Sequence, residues 1–252
     1  MRLAVVCEDR RHFDVVSLLV DAEALTHHDW LDGVLDHVRA WRATPEGQAP
    51  DAPYLKVSAD EARWAEPSVT LPDGTKIPLQ GFIDGKPAKP EAQMWRKVLA
   101  QLVTQKPRPT AVLLVRDLDG RADRREGMEQ VRSKLPWPPD MPIVLATPEP
   151  EMEAWVVSGF VAEDDKERAA LERLRQELSF DPTTQTHRLT SHPNDAATDA
   201  KRVLAALTQG DAMREERCLA DRVQLAERGV ANHCGDFLVE VRKKIVPKFT
   251  AP

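Results

Sequence analysis

Two acidic clusters, each placed directly after an apolar run, carry the chemistry of this chain. Leu3-Ala4-Val5-Val6-Cys7 runs into Glu8-Asp9, and Thr110-Ala111-Val112-Leu113-Leu114-Val115-Arg116 runs into Asp117-Leu118-Asp119-Gly120. Short β-favouring runs bounded by charge read as buried strands of a parallel sheet. In open α/β sheets, ligands gather outside the carboxyl ends of the strands. Carboxylates collected at such an edge repel one another unless a cation lies between them, and hard oxygen donors suit Mg²⁺ or Mn²⁺. Phosphodiester hydrolysis needs positive charge on the non-bridging and leaving oxygens and a water made nucleophilic, which one or two such ions supply. The expectation is a divalent-metal site for phosphate-ester chemistry.

An extended Asp117-Leu118-Asp119 would aim both carboxylates the same way and turn Leu118 into the core. Gly120 lets the chain turn tightly beside an ion. The same acids also suit turns and helix caps, but the fall of acidic clusters at three strand ends favours the metal. The third cluster is Glu149-Pro150-Glu151-Met152-Glu153-Ala154-Trp155. Acids in a first helical turn favour the dipole and proline suits a helix start. Glu149 or Glu151, nearer the strand end, is equally well placed to complete a metal site, and Trp155 reads as core.

Basic residues surround the Asp-x-Asp at Arg116, Arg121, Arg124 and Arg125. Arginine can clamp a phosphate through paired hydrogen bonds, with Arg121 and Arg124 the better candidates; the alternative is surface pairing with Asp123 and Glu126. Lys201 and Arg202 could reach a substrate backbone or simply form a solvated helix face. The Arg242-Lys243-Lys244…Lys248 run reads as a charged helix end ahead of a nucleic-acid patch. His27-His28-Asp29 has no second His-x₃-His pair and reads as a helix N-terminus capped by Asp29. Cys7 reads as a small buried hydrophobe. No glycine-rich phosphate loop of the Gly-x-Gly-x-x-Gly or Gly-x₄-Gly-Lys-Ser/Thr type occurs, nor a Gly-x-Ser-x-Gly elbow.

The elements that must position these groups alternate. A strand over about residues 3–7 precedes a helix from His12 to Leu25, with Phe13, Val16, Leu19 and Val20 on one face. A second helical stretch is expected from Asp29 to Arg42, then a proline-rich loop from Pro45 to Pro53. Residues 54–88 hold short β pieces: Tyr54-Leu55-Lys56-Val57, and a hairpin in which Pro72-Asp73-Gly74-Thr75 joins Val69-Thr70-Leu71 to Lys76-Ile77-Pro78-Leu79. Pro90 opens a helix carrying Met94, Trp95, Val98, Leu99 and Leu102. The strand ending at Asp117, a helix from Arg124 to Leu135 and the strand Pro142-Ile143-Val144-Leu145-Ala146 complete an α/β pattern. Beyond Asp164 the chain reads as helices over Lys166–Leu178, Ala196–Leu207, Ala212–Glu227 and Phe237–Ile245.

The 252 residues, 42% apolar and 30% charged, suit one elaborated α/β domain with a helical appendage. With 35 basic against 41 acidic residues the net charge is −6, which disfavours indiscriminate nucleic-acid coating but permits a local basic groove. No apolar run approaches the ~20 residues of a membrane span. Met1-Arg2-Leu3-Ala4 enters a strand directly, without signal-peptide architecture. Cys7, Cys218 and Cys234 lack paired spacing, so neither a disulfide framework nor a zinc cage is expected, and the expected compartment is a reducing cytoplasm.

In type and order, Glu8 and Asp117-Leu118-Asp119 resemble the Toprim domain of topoisomerases, primases and several nucleases, which carries a glutamate after its first strand and an Asp-x-Asp after a later one. The chain is also similar to small bacterial Toprim-like proteins, some from phage-defence loci beside an ATPase. They share an acidic Pro-Glu-x-Glu-x-Trp stretch, matched by Glu149 to Trp155, and a Pro…Asp-x-Lys segment, matched by Pro193 to Lys201. The resemblance implies a mostly parallel, Rossmann-like sheet over residues 1–160, an insertion at about 26–88, and helices packed on it over 161–252. It implies Mg²⁺ (or Mn²⁺) on Asp117 and Asp119, Glu8 as general acid/base or further ligand, and Lys201 near the substrate. Two departures stand out: Glu8 is followed by Asp9-Arg10-Arg11 where Toprim domains carry a glycine, and the gap from Glu8 to Asp117 is long. The expected activity is a Mg²⁺-dependent nuclease acting on DNA or RNA, the effector of an antiviral system, with an ATPase partner and room for self-association. Two other readings stay open: a non-catalytic subunit docking on an ATPase, and a phosphotransferase or phosphatase acting on a small substrate.

Overall fold

Strand-to-strand alternation fixes which side chains face which layer. The computed structural model describes residues 1–41, 53–56, 67–71, 73–192 and 196–251. Its first elements are β1 (Arg2–Cys7), α1 (Arg10–His27), the short α2 (Leu35–Val38), β2 (Ala40–Trp41) and β3 (Leu55–Lys56). Two hairpins follow, β4 (Ser68–Thr70) with β5 (Lys76–Pro78), and β6 (Phe82–Ile83) with β7 (Lys86–Pro87). Then come α3 (Pro90–Thr104), β8 (Ala111–Val115), α4 (Ala122–Lys134), β9 (Ile143–Ala146) and α5 (Met152–Ser158). The chain ends in α6 (Asp165–Leu178), α7 (Ala200–Thr208), α8 (Ala212–Cys218), α9 (Arg222–Arg228) and α10 (Cys234–Glu240).

The main sheet is parallel in the order β2-β1-β8-β9. β3 pairs with the far end of β1, Val6 opposite Leu55, while β2 pairs with its start, so the two pieces share one edge. Leu3, Val5, Cys7, Leu113, Val115 and Val144 face one core with α1, α5 and the C-terminal helices. Ala4, Val6, Val112, Leu114 and Leu145 face a second core with Trp95 and Leu99 of α3 and Met128 and Val131 of α4. The architecture is therefore α/β with a parallel sheet covered on both faces, as a Rossmann-like sheet is, and residues beyond 160 share one of its two cores. No helix among the described residues is long and apolar enough to cross a membrane.

From β1 the chain goes to one side, to β2 and β3; from β8 it goes to the other, to β9. The order reverses between β1 and β8, and α1 and α4 cover opposite faces. That is a topological switch point, where the carboxyl ends of two adjacent strands leave an open crevice.

Several sequence expectations change. The helix expected from Asp29 to Arg42 is instead a 3-10 turn (Asp29–Leu31), the four-residue α2 and the strand β2, because Gly33 takes a left-handed conformation (φ +71°) that stops the helix. His27 closes α1 and His28 is its C-cap, so that segment ends a helix rather than starting one. The helix expected over Ala212–Glu227 breaks at Asp221, whose carboxylate caps α9 by accepting from the backbone N–H groups of Val223 and Gln224. The hairpin around Asp73-Gly74 forms in register, Val69 opposite Ile77. A second hairpin, unforeseen, turns on Asp84-Gly85, both with positive φ. The Pro45–Pro53 loop up to residue 52, Val57, Pro72 and Pro193 lie outside the described residues.

Candidate metal centre

The chain leaves β1 through Glu8 and re-enters a helix at once. Asp9 is the N-cap of α1, its Oδ1 accepting from the His12 backbone N–H at 3.0 Å. Helical side chains lean toward the helix N-terminus, and the His12 ring accordingly points back over the sheet edge, 3% exposed. Its Nδ1 lies 3.0 Å from Asp9 Oδ1 and its Nε2 lies 3.0 Å from Asp117 Oδ1. Both ring nitrogens thus sit at ion-pair distance from a carboxylate oxygen, without hydrogen-bond alignment, and they and Asp117 Oδ1 are buried. Glu8, His12 and Asp117 each offer a donor atom within 4.8 Å of the others. Burial alone would push the His12 pKa down, but Asp117, then Asp9 and Glu8, outweigh it and the pKa is raised. Burial raises Glu8 as well, against the pull of Arg116 and His12.

Past β8 the chain keeps an extended course only briefly. The backbone N–H groups of Leu118 and Asp119 donate to the carbonyls of Pro148 and Pro150 at 2.9 and 2.8 Å, and Leu118 is buried as alternation requires. Asp119 (φ +50°) and Gly120 (φ +71°) then turn left-handed. Strict alternation is lost there, and Asp119 does not join Asp117: its carboxylate goes to Arg124 Nη1, which also donates to the Asp117 carbonyl at 2.7 Å. Arg116 pairs with Glu8 through Nη1 and lies 3.3 Å from Glu91 through Nη2. Glu91 is buried on α3 and also accepts from Trp95 Nε1 at 3.1 Å.

The third acidic stretch closes the crevice. Glu149 Oε1 accepts from the Gly120 backbone N–H at 3.2 Å; burial raises its pKa, opposed by that N–H and reinforced by Asp119 and Asp117. Glu151 is 2% exposed; its Oε2 accepts from Lys201 Nζ at 2.7 Å and its Oε1 has no partner. Burial pushes its pKa up to about 7, although Lys201 pulls the other way. Burial raises Glu153 too. Trp155 is fully buried.

The structure thus gathers Glu8 and Asp117 around His12, sets Glu149 and Glu151 beside them, and brings Lys201 onto Glu151. Arg121 is turned outward onto Asp123 at 3.0 Å, and Arg124 is committed to Asp117 and Asp119. Arg202 pairs with Glu177, Arg242 grips Glu23, and Lys244 pairs with Glu240, so these basic residues serve packing. His12 and Glu91 were not foreseen as site residues. His12 had a readable signal, an imidazole four residues after the strand-end glutamate in the first turn of a helix; Glu91 had none. No family model matches the chain, and no curated protein or solved structure matches it.

Proposed function

We propose that this chain is a divalent-metal-dependent phosphodiester hydrolase, a nuclease on a Toprim-like core. One observation carries the reading: at the switch point of a parallel sheet, Glu8, His12 and Asp117 each bring a metal-type donor atom within 4.8 Å of the others, with His12 Nε2 and Asp117 Oδ1 buried 3.0 Å apart. Two carboxylates and an imidazole at this spacing fit a divalent cation. Glu8, His12 and Asp117 would hold it. Carboxylates alone would suit Mg²⁺, and the imidazole widens the choice toward Mn²⁺ and softer ions. A bound ion would supply Lewis-acid stabilisation of phosphate oxygens and a lower pKa for a coordinated water.

The protein's own groups have separable tasks. Arg116 and Arg124 fix the strand-end loop by holding Glu8, Asp119 and the Asp117 carbonyl. Glu151, with a pKa of about 7, is poised to take a proton on Oε1 near neutral pH, while Lys201 holds Oε2. Lys201 is half exposed and presents a cation at the rim, where a phosphate would arrive.

A second reading, the non-catalytic subunit docking on an ATPase, is favoured by one fact: Arg116 and Arg124 already neutralise Glu8 and Asp119 without an ion. Calorimetry with Mn²⁺ and cleavage of plasmid, single-stranded DNA and tRNA in Mg²⁺, Mn²⁺ or EDTA separate the two. Metal-dependent cleavage is expected, lost in Asp117→Asn, whose Mn²⁺ affinity falls by about 100-fold or more. Absence of both Mn²⁺ binding and cleavage would overturn the nuclease and make the docking subunit the better reading.

A further inference from the structure

Leu118 and Glu149, which flank the metal centre, also line a cleft of about 500 Å³, within the usual size of small-ligand sites. Leu118 and Ala122 give it an apolar lining; Arg125, Glu126 and Glu129 of α4, Glu149 and His233 complete it. The wall bearing His233 is built, not incidental. Asn232 is fully buried and donates through Nδ2 to Thr186 Oγ1 at 2.8 Å and to Ser158 Oγ at 3.2 Å. Its backbone carbonyl accepts from Trp155 Nε1 at 2.7 Å and from the Glu149 backbone N–H at 3.3 Å. One buried asparagine therefore fixes the loop carrying His233 against the segment carrying Glu149. His233 itself holds a left-handed backbone, φ +69°.

The chemistry of the lining selects a ligand class. Arg125 sets Nη1 against His233 Nδ1 and Nη2 2.9 Å from Asp236 Oδ2. A guanidinium only donates, so Nδ1 must accept, leaving a neutral ring with its proton on Nε2; burial and Arg125 hold the His233 pKa below its usual value. Both oxygens of Glu129 are taken by Arg132, at 2.6 and 2.8 Å. Glu149 has one oxygen on Gly120 N–H and makes no ion pair among the described residues. With Arg125 committed to Asp236 and carboxylates nearby, the cleft repels phosphate. It offers an apolar floor, a neutral imidazole, a guanidinium plane and the carboxylate acceptors of Glu149 and of Glu126, whose Oε2 pairs with Lys89. Imidazole rings and guanidinium planes stack on bases, and a carboxylate accepts from an exocyclic amino group.

We propose that this cleft is a base subsite, taking the adenine or cytosine of a nucleotide next to the scissile phosphate; it rests on the nuclease reading and names the substrate feature that the same site would grip. Saturation-transfer NMR on the full chain in EDTA, with adenosine, cytidine and thymidine, tests it apart from catalysis. Adenosine and cytidine should bind, and thymidine, which lacks the amino group, more weakly. Ala122→Trp fills the cleft from an exposed helix position. His233→Asn removes the ring with a residue that tolerates positive φ. Each should weaken adenosine binding about 5- to 150-fold, the worth of one base–aromatic stack, with Mn²⁺ affinity as in the parent. The subsite is refuted if no nucleoside binds, or if both variants bind adenosine as the parent does. Should cleavage be absent while Ala122→Trp still abolishes adenosine binding, the subsite stands and the nuclease falls. Should metal-dependent cleavage occur with no nucleoside bound, the reverse holds.

Discussion

Two clusters of buried charge in this chain are equally deep and differ in how completely they are paired. On α6 and α8, Glu167 and Arg214 meet through two contacts of 2.6 and 3.0 Å; Arg214 Nη2 also donates to the Val161 carbonyl at 2.6 Å, and Glu167 Oε2 accepts from the Glu163 backbone N–H at 2.7 Å. At the strand edge, His12 and Glu151 are buried at least as deeply, yet the His12 ring meets Asp9 and Asp117 at 3.0 Å without hydrogen-bond alignment, and Glu151 Oε1 has no partner. A closed cluster specifies packing. An open one retains desolvated donors and acceptors at a cost in stability, and such atoms call for an explanation. Burial of charge alone does not mark a site; what sets the strand edge apart is that its buried groups converge as metal-type donors.

The closed cluster should therefore show the largest effect on stability and none on the metal. Arg214→Ala strands the Glu167 carboxylate and should cost about 3–5 kcal/mol, read as a lower urea midpoint, with Mn²⁺ affinity unchanged. A parallel loss of Mn²⁺ binding in the folded variant would show that the two clusters are not independent.

Opposite pH signatures give the next effect. Arg214, through its hydrogen bonds, lowers the Glu167 pKa below the ordinary 4.5. The unfolded chain then takes the proton more readily, so this stabilisation is complete above about pH 4.5 and fades as pH falls through the folded pKa. Burial raises Glu151 from 4.5 to about 7. Here the folded chain binds the proton more tightly, and stability declines as pH rises from about 4.5 to 7, then levels off. Glu151→Gln, which cannot ionise, should thus raise stability at pH 8 by up to about 3 kcal/mol while abolishing the proton transfer assigned to Oε1. Urea melts at pH 5 and 8 read the first, and cleavage rates the second. A variant that is less stable at pH 8 would mean that Lys201 compensates the buried carboxylate fully.

The same contrast explains what was legible in the sequence. Apolar runs bounded by charge gave the strands that end at Glu8 and Asp117, because a strand buried on both faces leaves an uninterrupted run. The alternation that buries Leu118 was equally readable. What did not follow was where left-handed residues outside a hairpin signal turn the chain, and which partners lie far along it. Gly33 stops a helix that periodicity alone continues, and Asp119 and Gly120 rotate the second aspartate away from the first. Glu91 reaches Arg116 from 25 residues away, and Lys201 reaches Glu151 from 50. Local pattern cannot encode such pairings. His12 stands four residues after Glu8 in the sequence, and the lean of helical side chains toward the N-terminus is what carries its ring back over the strand edge.

Arg121 and Arg124 sharpen the comparison at its smallest scale. Both flank the Asp-x-Asp, and sequence gave no ground for separating them as phosphate ligands. In the structure Arg124 is mostly buried, with one contact to a backbone carbonyl and one to a carboxylate, whereas Arg121 is over half exposed and paired two residues along with Asp123. An exposed pair of this kind holds its geometry weakly against solvent and side-chain entropy. Arg121→Ala should leave the melting temperature and Mn²⁺ affinity unchanged and shift the KM for an oligonucleotide by no more than about twofold. Its pairing with Asp123 turns it from the crevice, and releasing it would add only a diffuse positive charge that salt screens within about 10 Å. A KM increase of tenfold or more would show that the guanidinium swings from Asp123 onto the substrate. In that event saturation of a charged side chain by a neighbour would not, by itself, exclude it from the site, and the distinction between closed and open clusters would hold only for buried groups.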